Sequence, residues 1–218
     1  MKKINLIDAV IDWFDSDQAG EHRAKYHPEI ISLHIASVFE QLIYKVWLQG
    51  KETSDFNQLD AWSRIYNVSV TTVGGNAYAV LPFAPVQLPD NEGIRQVCDH
   101  GNNSNVFIPT SRESDFIFGQ LDEGVYDSTP TYSLEQNSFA TGAGQLSHIL
   151  RLRNMPTSPA IESIDVFMIV PFEKMDDYDD ITIPGLDENS IIKEVINLLI
   201  SKPNPDKAID DVVKTAVP

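Results

Sequence analysis

The 218-residue chain is poor in cysteine, in basic side chains and in long apolar runs, and each shortage excludes something. Cys98 is the single cysteine, so no intramolecular disulfide can form and no cysteine-based zinc site can close. Only 16 Lys and Arg face 32 Asp and Glu, a net charge of −16. A duplex-binding surface needs clustered cations to displace phosphate counterions, so tight nucleic-acid binding is not expected. No stretch approaches the roughly 18 apolar residues of a membrane helix. The Met-Lys-Lys start is followed by Asn5, Asp8 and Asp12, which breaks the apolar core that a signal peptide requires.

With 42% hydrophobic residues, the chain can nevertheless bury a real core. Its acidity is uneven. Residues 161–218 hold 13 acidic and 5 basic side chains, half of the whole excess. Ile4, Ile7, Val10, Ile11 and Phe14 recur at helical spacing and predict a short helix over 4–14. Pro28 opens a second, stronger helix. Ile31, Ile35, Val38, Leu42 and Val46 form its stripe, Ile30, Phe39, Ile43 and Trp47 widen it, and Gly50 is expected to stop it. So wide a stripe implies burial on more than one side.

Past residue 60 the apolar period falls to two. Trp62, Tyr66, Val68, Val70 and Thr72 share one strand face, Gly74-Gly75-Asn76 is a turn, and Ala77 to Leu81 can return as the paired strand. Further strands are expected at 94–98, 106–108, 116–118, around Leu146 to Leu152, and at 164–170, the last apolar on both faces and therefore central. Residues 122–144 contain few apolar side chains and predict a long loop or arm. A final helix is capped by Asp187, carries Ile191 to Leu199 and ends at Lys202-Pro203. Helices, then strands, then a helix argue an α+β fold with a mostly antiparallel sheet. The reading is one domain over 1–218: a helical part (1–58), a β-rich part (59–172) and an acidic loop with the C-terminal helix (173–218).

Candidate chemistry is thin. His22, His27, His34, His100 and His148 include no helical metal pair, and His148 on an apolar strand face reads as a core histidine. In Cys98-Asp99-His100, neighbouring strand side chains point to opposite faces, so a structural cysteine outweighs a nucleophile. The run Asp176-Asp177-Tyr178-Asp179-Asp180 has Ile181 where a calcium loop needs glycine, and reads as a solvated charge run. Gly142-Ala143-Gly144 neither follows a predicted strand nor opens a helix, so it is no phosphate loop. No catalytic, cofactor-binding or metal residue is assigned, and no cofactor is expected.

Three stretches together carry a resemblance: Arg23 to Pro28 running into the long helix; Gly93 to Cys98 through Asn105 to Pro109, ending at Phe116 to Gly119; and Val170-Pro171-Phe172 with the acidic loop, Ile183-Pro184-Gly185 and the final helix. In order and character they resemble virion proteins of tailed phages infecting Bacteroidota, the crAss-like phages and relatives, and among those a neck or head-to-tail connector ring protein. The resemblance implies a non-enzymatic structural subunit, assembled in the bacterial cytoplasm into the virion. Its partners would be further copies of itself in a ring and the portal, tail or neighbouring ring proteins. DNA would pass through an acidic lumen that repels it. Two other classes stay open: a binding module for cell surfaces or carbohydrate, which needs Trp62 and Tyr66 exposed, and a small hydrolase, which needs His100 or His148 to meet a carboxylate in a cleft.

Overall fold

The computed structural model describes residues 2–16, 28–53, 57–60, 62–73, 76–110, 129–137, 147–156, 160–181 and 188–201. The chain divides into two compact units, one of residues 1–49 and 175–218, the other of residues 50–174. The architecture is α+β, with helices at the start, a helix at the end and a central, mostly antiparallel eight-stranded sheet.

The first unit is helical. Helix α1 (Lys3–Asp15) buries Leu6, Val10 and Phe14, which recur every four residues. Of the expected face, Val10 and Phe14 are buried and Ile4, Ile7 and Ile11 half-buried; Leu6, also buried, lies outside it. Helix α2 (Pro28–Thr53) buries Ile31, Ile35, Val38, Phe39, Leu42, Ile43 and Trp47. It does not stop at Gly50, which is buried within its last turns. A helical glycine costs only about 1 kcal/mol relative to alanine, too little to end a helix of this length. After the four-residue helix α3 (Asn57–Asp60) and the sheet comes helix α4 (Glu188–Ser201), which buries Ile191, Val195 and Ile196 and packs against α1. The proposed Asp187 cap and the Lys202-Pro203 stop lie outside the described residues.

The acidic run 176–180 has a structural task in this unit. The first N–H groups of a helix have no partners within it. Those of Lys3 and Ile4 donate to the carbonyls of Asp179 and Asp177, both at 3.0 Å, and the buried Lys3 ammonium donates to the carbonyl of Met175 at 2.6 Å. Lys2 also pairs with Asp180 at 3.0 Å. Carboxylates gathered at a helix N-terminus oppose its positive dipole end.

The second unit is a barrel. Its strands are β1 (Ser63–Val73), β2 (Asn76–Val80), β3 (Ile94–Asp99), β4 (Asn102–Val106), β5 (Ile108–Pro109), β6 (Thr131–Asn137), β7 (Ser147–Arg153) and β8 (Ser163–Ile169), in the order β4-β3-β8-β1-β2-β7-β6-β5. The terminal strands of this order, β4 and β5, are separated in sequence by a single residue, Phe107. The Phe107 N–H donates to Val97 on β3, and the next N–H, of Ile108, donates to Pro130 at the start of β6, both at 2.9 Å. One bent strand thus passes from one edge of the sheet to the other and closes it. β1 makes the second corner: Ser63–Ser69 pair with β8, and Val70–Val73 with β2. Taking β4 and β5 as one strand leaves seven around the ring. An odd ring cannot alternate throughout, and the parallel β5–β6 pair is the required exception.

Inside, alternate residues of each strand meet: Val68, Ala77, Ala79, Ile94, Val97, Leu150, Leu152, Ile164, Val166 and Met168, with Phe107 and Tyr132. β8 is paired on both sides, with β1 and β3, while its burial alternates: Ile164, Val166 and Met168 are buried, and Ser163, Asp165 and Phe167 half-buried. The expected strand at 106–108 is instead the corner between two strands.

The expected arm at 122–144 needs a larger correction. Its residues 131–137 are strand β6, paired with β7 along its length and with β5 at its start. Tyr132 is 4% exposed, and burial pushes its phenol up to about 12. The stretch looked polar because Thr131, Ser133 and Glu135 occupy the face away from the barrel core, while Tyr132 and Leu134 supply the inner one. The remainder of 122–144, including Gly142 to Gly144, lies outside the described residues, as do the expected strand 116–118, His22 and His27.

Candidate functional site

Three features of the described residues bear on function. The first is a polar row on the outer wall of the barrel. Register places Asn67 of β1 beside Asp165 of β8, and Asp165 beside Cys98 of β3. Asn67 Nδ2 donates to Asp165 Oδ1 at 3.0 Å, and His100 Nδ1, just past β3, lies 2.9 Å and 3.0 Å from the two carboxylate oxygens. The Asn67 hydrogen bond, with those of His100, holds the Asp165 carboxyl below the usual aspartate range against the opposing effect of burial. An imidazole held in this way through Nδ1 presents Nε2 outward, and His100 is 58% exposed.

A histidine therefore meets a carboxylate, but on the outer wall and not in the cleft that a hydrolase needs, since neither His100 nor Asp165 lines the cleft of this unit flanked by Arg151 and Arg153. Cys98 does not add a nucleophile. Its side chain is fully buried, with Sγ 3.9 Å from Asn103 Oδ1 and from the Asp165 carbonyl. Burial first, then the charges of Asp165 and Asp99, push its thiol up, away from the nucleophilic thiolate. The arrangement ties β1, β8 and β3 together across the sheet. His34 and His148 are half-buried and each has an interaction partner. Among the described residues no three His, Cys, Asp or Glu gather as metal ligands.

The second feature is a cleft of about 810 Å³ in the barrel unit. Val70, Leu152, Met155 and Ile161 give it an apolar floor, and Arg151 and Arg153 stand at its side. Arg151 Nη2 donates to Asn76 Oδ1 at 3.2 Å, and Nη1 lies 3.7 Å from Glu135. Its Nε is buried and has no hydrogen-bond acceptor among the described residues. Asn154, at the lip, takes positive φ (54°), as a turn residue with a short polar side chain can. In a chain so acidic, two arginines on one strand beside a cleft are notable, yet their sequence signature is only alternation along β7.

The third feature is on α2. Leu33, Tyr44 and Leu48 are 60%, 44% and 44% exposed. At about 100° per residue they fall within a single arc opposite the buried stripe. Phe39, Ile43 and Trp47, which widen the expected stripe, are buried, so this exposed face is separate from it. By contrast, the aromatic pair that a carbohydrate-binding surface would need is not displayed together: Trp62 is 3% exposed, and the half-buried Tyr66 packs edge-on against Phe83 with centroids 5.2 Å apart.

Sequence reasoning did not find Asp165, Asn67, Arg151 or Arg153 as members of clusters, because Asn67 and Asp165 are 98 residues apart and meet only through register. No helix among the described residues is long and apolar enough to cross a membrane. No protein-family model, curated protein or solved structure matches the chain.

Proposed function

We propose that the chain is a non-enzymatic structural subunit that assembles with copies of itself into a closed ring, of the kind that joins portal to tail in the neck of tailed phages. The observation that carries this reading is the exposed stripe Leu33–Tyr44–Leu48 on α2. Large apolar side chains aligned on one helix face lose free energy to water until another surface covers them. A ring needs two different surfaces on each copy, one docking onto the other. The net charge of −16 suits a lumen through which DNA slides without adhering.

The stripe is tested by Leu33→Asp with Leu48→Asp. Both side chains are exposed, so the variant keeps the wild-type melting temperature while its self-association, read by light scattering across a concentration series, weakens at least tenfold. Unchanged assembly by a folded variant removes the stripe from the account.

A further inference from the structure

We infer that the cleft flanked by Arg151 and Arg153 is the socket for the Asp176–Asp180 turn of a neighbouring copy, with Tyr178 as the side chain that enters it. The inference rests on the ring reading above and names one of its contacts. Tyr178 is 76% exposed, the most exposed large hydrophobic side chain of the described residues. It sits in a turn closed by the Asp179 N–H donating to the Asp176 carbonyl at 2.9 Å, with the Asp176 N–H donating back to Asp179 Oδ2 at 3.1 Å. The turn is held in turn by the start of α1, through the carbonyls of Asp177 and Asp179. An aromatic ring on a pre-ordered turn loses little conformational freedom on docking, and such side chains are the usual anchors of interfaces.

The cleft is large enough for the turn and opposite to it in charge. Its volume of about 810 Å³ exceeds that of a tyrosine side chain several times and leaves room for the turn backbone. Val70, Met155 and Ile161, each half-buried, can cover the ring. The carboxylates of Asp177 and Asp180 are 62% and 63% exposed. Arg151 and Arg153 flank the cleft and set positive charge beside an acidic turn. The contact is between unlike surfaces, as ring closure demands.

The test uses two variants of the full chain, Tyr178→Ala, which loses the plug, and Arg153→Glu, which spoils the socket. Each should associate about tenfold or more weakly than wild type by light scattering. Mixed in equal amounts, they should associate with each other more tightly than either does with itself, because the intact socket of one takes the intact plug of the other. Tyr178 is on the surface, so Tyr178→Ala keeps the wild-type melting curve and its result cannot be blamed on misfolding. Wild-type assembly in both variants, or two weakened variants that do not pair on mixing, overturns the contact and leaves the ring. A wild-type chain that stays monomeric at high concentration overturns both.

Discussion

Replacing Phe107 by alanine removes the side chain at the corner where β4 becomes β5, the point at which the barrel closes. The ring is 1% exposed and belongs to the central core with Val97, Tyr132 and Val166. Truncating a buried phenylalanine costs about 3–5 kcal/mol, from lost transfer energy and the cavity left behind. That is a large share of the roughly 5–15 kcal/mol that holds a domain folded. With an m-value of about 2 kcal/mol/M, the urea midpoint should fall by roughly 2 M. Phe107→Leu, which keeps most of the volume, should cost below about 1.5 kcal/mol. Ile65→Ala on the outer wall, where the side chain is 60% exposed, should stay within about 0.5 kcal/mol. Hydrogen exchange reports on closure directly. The amides of Phe107 and Ile108, bonded to β3 and β6 respectively, should exchange as slowly as those of β8. A Phe107→Ala protein within 1 kcal/mol of wild type, or fast exchange at these two amides, refutes a closed barrel with this residue at its seam.

Gly93→Ala should be among the most damaging small substitutions, since the added Cβ would collide with the carbonyl oxygen of Val86 while the Gly93 carbonyl is held by the Ile169 N–H at 2.8 Å; a melting temperature within a few degrees of wild type would mean that the backbone there gives way freely. Asp165, with its pKa depressed in the fold, contributes stability that is present above the ordinary aspartate pKa and lost as pH falls through its lowered folded value, so the stability gap between wild type and Asp165→Asn should close on acidification below about pH 4. A gap that is independent of pH in urea titrations from neutral to acid contradicts the role given to Asn67 and His100. The Cys98 thiol should not react with Ellman's reagent until the protein unfolds; stoichiometric labelling of the native chain would show that it is accessible.

The α+β class and the positions of most elements could be read from periodicity alone, because the helical stripe of α2 and the alternation in β1, β7 and β8 are local properties. What local pattern conceals is pairing. Residues 131–137 carry too few apolar side chains to look like a barrel strand, since their polar alternates lie away from the core and their hydrogen bonds go to β7 and β5. Closure at Phe107 depends on β3 and β6, which are remote from each other in sequence, and no window around residue 107 contains that information. The Asp165 cluster is hidden for the same reason. The run 176–180 was legible as charge but not as the partner of the α1 N-terminus, since Lys3 and Met175 are 172 residues apart. Trp62 and Tyr66 were legible as aromatics on strand β1 or at its entrance, while whether they face water or core is settled only by where the barrel interior lies.

The measurement that tests the central claim most directly is imaging of the purified wild-type chain by negative-stain electron microscopy, with native mass spectrometry on the same sample. A ring subunit should give closed annular particles with a central opening and one discrete mass at a whole multiple of 24.4 kDa. A single species at the mass of one chain at every concentration, with no annular particles, would contradict the account.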